Sequence, residues 1–202
     1  MAALGIALLA VSAQIQLPIG PIPFTLQTLV LIVIILAFNS GSAMAAVGGY
    51  LVLGGIGLPI GAGFKGGIAW LIGPTGGFLL GFLLATLLVV VLRKLWLGLK
   101  AGSGFGLADK LQPEPTSKTE SGLASKRSML LVNIVFGVLI IVVYYAFGLL
   151  WFMYSTGSTF LAAFTLCLAP FLIPDVIKLV AAVTIAQALY HAMGLRFLER
   201  AN

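Results

Sequence analysis

The chain has 202 residues, 61% of them hydrophobic and 8% charged, with a formal net charge of +6, and its mean hydropathy is +1.18. These values exclude a soluble domain, in which about a quarter of the residues carry charge, and identify an integral membrane protein. The single cysteine, Cys167, has no thiol partner for a disulfide or a metal site and reads as a packing residue.

A spanning helix needs about 20 apolar residues. Residues 2–17 are the first candidate, and because they lack a basic start and a small-residue cleavage site they read as a retained helix. Pro18, Pro21 and Pro23 then impose a stiff extended loop. The uncharged run 24–58 is too long for one span, and Asn39-Ser-Gly-Ser42 breaks it in two. The first half, residues 25–38, would rise only about 21 Å, so it depends on bilayer thinning or on cover from neighbours. Residues 54–77, rich in glycine and holding Pro59 and Pro74, predict an irregular or re-entrant segment shielded by protein.

Another span covers 77–97. Residues 100–127 turn abruptly polar and predict a flexible solvated loop. Spans at 129–154 and 174–193 flank an apolar but turn-broken stretch, 156–173. The sum is an all-α integral membrane protein of about six transmembrane helices in one membrane domain, residues 1–202.

Arg93, Lys94, Lys100, Lys110, Lys118, Lys126, Arg127, Arg196 and Arg200 lie in or beside the long loop and the C-terminal tail. The positive-inside rule makes both cytoplasmic, and with an even number of spans the N-terminus as well. A nucleic-acid surface is excluded, because these charges are scattered, lack interleaved aromatic residues and adjoin membrane spans.

Lys65, Asp175 and Lys178 remain for the outer side. In "PFLIPDVIK", Asp175 and Lys178 stand three residues apart, so a helix started by Pro174 projects both from one face. An ionisable pair near a membrane-helix end marks a functional site unless it is only a cap and its partner. Of the two lysines, only Lys178 has a partner on an inward helix face. In "PIPFTLQT", Thr25 fits a helix cap and Gln27 offers amide donors and an acceptor just inside the helix, although the threonines could equally satisfy backbone groups alone. In "GPTGGF", Gly73 permits close backbone approach and Thr75 opens a helix whose N-terminal amides face an anion or simply pack.

"PIPFTLQTL", "GGYLVLGGIGLP", "GPTGGFLLGF" and "PFLIPDVIK", in this order and spacing, resemble the BioY family, the biotin-binding S components of energy-coupling factor transporters. The resemblance covers residues 21–178. It implies a six-helix protein that captures biotin from outside and works with a transmembrane T component and cytoplasmic ATP-binding subunits. It maps the family's polar pair onto Asp175 and Lys178, and its small-residue pattern on the first helix onto Ala3 and Ala7, where ordinary helix packing would look the same.

Biotin has a ureido group with two N–H donors and one carbonyl, an apolar sulfur ring and a valerate carboxylate. Asp175 suits the ureido N–H groups, Gln27 either edge and Lys178 the carboxylate, with other distributions open. Phe24, Tyr50 and Trp70 are candidates to pack on the ring, Trp70 being more readily an interfacial anchor. An S component for another vitamin is the alternative. A small membrane-integral transferase fits less well: the only histidine, His191, lies at the other end of the last helix, and neither metal-ligand spacing nor a phosphate-binding loop is present, so no cofactor is called for.

Overall fold

The computed structural model describes residues 1–17, 22–102 and 118–192. Pro18, Pro21, Lys110, Ser117, Arg196 and Arg200 therefore lie outside the described residues. Through the described residues run α1 Ala2–Gln14, α2 Gln27–Ala37, α3 Ser40–Gly55, α4 Ile68–Ile72, α5 Gly76–Gly102, α6 Lys118–Thr156, α7 Phe160–Cys167 and α8 Leu172–Ala192. A two-residue antiparallel ladder, β1 Gln16–Leu17 with β2 Phe24–Thr25, sets Gln16 opposite Thr25. The first helix thus stops short of residue 17.

The six expected spans correspond to α1, α2, α3, α5, α6 and α8. Among the described residues, three apolar stretches, Gly76–Leu95, Leu130–Thr156 and Phe160–Tyr190, are long enough to cross a bilayer. At 11 residues, α2 rises only about 16 Å, roughly half the hydrocarbon thickness. Neighbours supply the cover: eight of its residues are buried, and it packs along α8 and touches α1, α3, α5 and α6. Thr25 Oγ1 accepts from Gln27 N at 3.3 Å at its start. Past its end Asn39 accepts from Ser42 N at 2.7 Å and so caps α3. The last-turn carbonyl of Leu36 accepts from Arg93 Nη2 at 3.2 Å and from the Tyr190 hydroxyl. Arg93 is therefore a bundle residue, 7% exposed and 5.7 Å from the Phe136 ring centre. Its sequence reading as a loop-flanking topology charge is corrected, because a helix end inside lipid needs donors for its orphan carbonyls.

Segment 54–77 ends inside α3 and α5, and between them, from Ile56 to Thr75, it is irregular apart from the short α4. Gly57, Gly63 and Gly67 have φ of 113°, 69° and 87°, and Phe64 joins them at 58°. From α1, Gln14 clamps this loop, donating to Gly61 O at 3.0 Å and accepting from Phe64 N at 3.1 Å. The predicted loop 100–127 is helical at both ends, since α5 runs to Gly102 and α6 starts at Lys118. Extending an existing helix costs little once it is nucleated, and the residues after Pro115 include the helix formers Glu120, Leu123, Ala124, Lys126 and Arg127. Similarly α8 begins at Leu172, after a 3₁₀ turn Ala169–Phe171, so Pro174 sits inside the first turn, where its missing N–H is not needed.

Outward-facing Val11, Val52, Leu87, Val142 and Val180 give the bundle an apolar exterior, as lipid requires. Inside, α5 and α6 make the most extensive helix contact, through glycines. A Cβ on Gly81 would lie 2.8 Å from Tyr144 Cα and 3.2 Å from Tyr144 Cβ. Gly81→Leu should therefore push α6 outward at Tyr144, lowering stability by roughly 1–3 kcal/mol and weakening ligand binding. Thermal unfolding in detergent and a binding titration check both; an unchanged midpoint would mean that the two helices do not need this approach.

Candidate functional site

A cavity of about 100 Å³ opens between the β2–α2 junction, the 56–67 loop, the starts of α5 and α8, and the middle of α6. A single water needs about 10–15 Å³ on the same measure, so the space suits a small organic molecule. Its walls are mostly aromatic and aliphatic. Its charges are Lys65, Asp175 and Lys178, and its neutral polar side chains include Gln27, Thr28, Tyr144 and Tyr145.

The polar centre is built on α8. Asp175 and Lys178, one turn apart, form an ion pair with Nζ to Oδ1 at 2.8 Å, although they are only 4% and 6% exposed. Burying two charges is costly unless other groups solvate them, and here the protein does so. Asp175 Oδ2 accepts from the Tyr145 hydroxyl at 2.7 Å and from the Tyr144 hydroxyl. Lys178 Nζ donates to Thr28 Oγ1 at 2.9 Å and lies 3.9 Å from the centre of the Phe24 ring. All three ammonium N–H groups thereby have an acceptor or a π face. Phe24 in turn stacks on Phe171, with centroids 6.1 Å apart and planes 5° from parallel.

Gln27 lines the same cavity. It is 5% exposed, and its Nε2 makes no hydrogen bond of good geometry, with the Tyr50 hydroxyl nearby. An unsatisfied buried amide donor costs about 1–3 kcal/mol, so this nitrogen is open to a further acceptor.

The fold brings Phe24, Thr25, Gln27, Thr75, Asp175 and Lys178 together around one cavity. Tyr50 and Gly73 fall outside its described wall. Tyr50 stands behind Trp70, whose ring it meets edge-on at 5.7 Å, and its hydroxyl donates to Ile60 O at 3.2 Å. The Gly73 carbonyl accepts from the Trp151 indole N–H at 2.9 Å, tying the start of α5 to α6. Trp70 is corrected from an interfacial anchor to a cavity residue, 8% exposed. Cys167, read as a packing residue, and Lys65, read as an outer-side lysine without a helix-face partner, also line the wall. Ala3 and Ala7 lie apart from the cavity, on the exposed side of α1 beside Leu4, Leu8 and Val11.

Sequence reasoning missed Tyr144 and Tyr145. Two adjacent hydroxyls in the middle of the apolar run "IIVVYYAFG" were the available signal, since polar groups at membrane depth need partners. Phe78, Phe82 and Phe171 carried none that separates a cavity wall from any apolar helix face.

The sequence profile of the BioY family matches residues 1–195. The chain belongs to the BioY family. It is 34% identical over 189 residues to the probable biotin transporter BioY of Pyrococcus horikoshii, covering 94% of this chain and 93% of that one. To the biotin transporter BioY2 of Lactococcus lactis subsp. cremoris it is 32% identical over 193 residues, covering 95% and 89%. Its fold is similar to the crystal structure of the S-component for biotin from an ECF-type ABC transporter, with a TM-score of 0.68 at 25% identity and coverage of 94% and 88%.

In this BioY member the ion pair predicts its own mutational signature. Lys178→Met leaves the Asp175 carboxylate buried without a counter-charge and should cost about 3–5 kcal/mol. The double variant Asp175→Asn/Lys178→Met, carrying no buried charge, should recover most of that stability while failing to bind ligand. Thermal unfolding of both variants separates these outcomes; equal destabilisation would show that the pair is not the source of the penalty.

Proposed function

We propose that this chain is the biotin-capturing S component of an energy-coupling factor transporter. Family membership supports the reading, and one local observation gives it chemical content: the open Nε2 of Gln27 shares an aromatic-walled cavity with the Asp175 carboxylate and two tyrosine hydroxyls. A ureido group needs that complement. Its carbonyl takes the Gln27 donor. Its N–H groups find the remaining lone pairs of Asp175 and those of Tyr144 and Tyr145, whose hydroxyl hydrogens are already directed at the carboxylate. Trp70, Phe78 and Phe82 enclose the apolar ring system.

The chain carries no nucleotide-binding motif, so concentrative uptake needs the T component and the ATP-binding subunits as partners. The exposed side of α1, where Ala3 and Ala7 allow close helix approach, is the surface proposed for them. The distribution of Lys and Arg supports a plasma-membrane orientation with both termini cytoplasmic and the cavity opening outward.

The purified chain should bind biotin one to one. Gln27→Leu should weaken binding by about 1–3 kcal/mol, roughly 5- to 150-fold, by leaving the ureido carbonyl unsatisfied. Undiminished affinity would remove Gln27 from the site. The double variant Ala3→Trp/Ala7→Trp should bind biotin normally yet lose co-purification of the T component and ATP-dependent uptake; if it still assembles, coupling uses another surface. In a Cys167→Ser background, Gly63→Cys should react with an impermeant thiol reagent in intact cells, whereas labelling only after permeabilisation would invert the orientation.

A further inference from the structure

We infer that Lys65, where the cavity wall meets the surface, receives the ligand carboxylate, and that Lys178 does not. The inference rests on the biotin reading above and assigns the end of the ligand that reading leaves open.

Lys178 has no capacity to spare. Its Nζ lies 2.8 Å from Asp175 Oδ1, 2.9 Å from Thr28 Oγ1 and 3.9 Å from the Phe24 ring centre, and its charge is already balanced by Asp175. Bringing a second carboxylate to it would place two negative charges and one positive charge in a buried space. That arrangement either costs heavily or forces one group to take up a proton.

Among the described lining residues, Lys65 is the remaining charged group. It is exposed, so a carboxylate meeting it keeps part of its hydration and loses little by binding there. The backbone beneath it is fixed. Gly61 N donates to Lys65 O at 2.8 Å, closing a tight turn through Gly63 and Phe64, both with positive φ, and Gln14 of α1 holds that turn from both sides. The start of α5, the other candidate for an anion, has its Gly76 N–H bonded to Gly73 O at 2.9 Å and its Phe78 N–H bonded to Thr75 O at 3.1 Å. A ligand with a neutral hydrogen-bonding head and a charged tail therefore fits in one direction, head at Asp175 and tail at Lys65.

The test compares biotin with its primary amide, which keeps the head and removes the charge, on the full chain in detergent. The wild type should prefer biotin over the amide by roughly two- to fivefold, as suits an exposed ion pair, and the preference should shrink as salt is raised. Lys65→Ala should lose about two- to fivefold for biotin, leave the amide unchanged and abolish the salt dependence, while Lys65→Arg should retain most of the preference. The inference is overturned if Lys65→Ala binds biotin as the wild type does, or if it weakens biotin and the amide equally, which would mark a structural effect of the loop. Binding of neither compound by the wild type would instead bring down the biotin reading itself.

Discussion

A buried ion pair that the protein solvates with its own groups holds this site together. The Asp175 carboxylate and the Lys178 ammonium would each cost several kcal/mol to bury alone, and their mutual attraction is not enough to offset that. Tyr144 and Tyr145 from α6 and Thr28 from α2 complete the account. Three helices distant in sequence must therefore meet within hydrogen-bond distance of one another, and much of the bundle's geometry follows from that requirement. The close seam of α5 against α6 at Gly81 sets where Tyr144 stands, and Phe24, stacked on Phe171, brings the β2–α2 junction over the ammonium.

α2 is too short to cross a bilayer by itself, and it is held to α8 at both ends. Near its start Thr28 accepts from Lys178, and near its finish Leu36 accepts from Tyr190. Because the two helices run in the same direction, these contacts fix their register as well as their distance. Arg93 of α5 joins at the Leu36 carbonyl, so the end of α2 remote from the cavity is satisfied by side chains where lipid offers no donor.

How much of this was legible in the sequence follows from what each residue's chemistry demands locally. Asp175 and Lys178 stood out because charge inside an apolar run has few structural excuses, and helical spacing alone put them on one face. Asn39 and the glycine-rich 54–77 segment could be read for the same kind of reason, a local backbone need met by a local residue type. Tyr50 and Trp70 could not be sorted: both are aromatic residues near the cavity end of the bundle, and which of the two forms the wall depends on the edge-on contact between them. Arg93 was misread because a basic residue near a polar loop looks like a topology signal until the orphan carbonyl of a different helix comes within its reach. Lys65 illustrates the same limit, since a lone loop lysine has no sequence partner and gains meaning only when the turn that carries it closes one side of the cavity.

The clamp by Gln14 links that cavity wall to α1. One amide side chain both donates to Gly61 and accepts from Phe64, so the 56–67 loop is ordered by the last turn of a helix that carries Ala3 and Ala7 on the same side, two and three turns earlier, in exposed positions. A shift of α1 along its axis cannot leave the loop where it is without breaking these bonds, and the chain leaving α1 is also tied to the start of α2, by the β1–β2 ladder and by Leu26 N donating to Ile15 O at 3.2 Å. One helix end thus holds two sides of the cavity, the 56–67 loop and the β2–α2 junction whose Phe24 ring lies over the Lys178 ammonium.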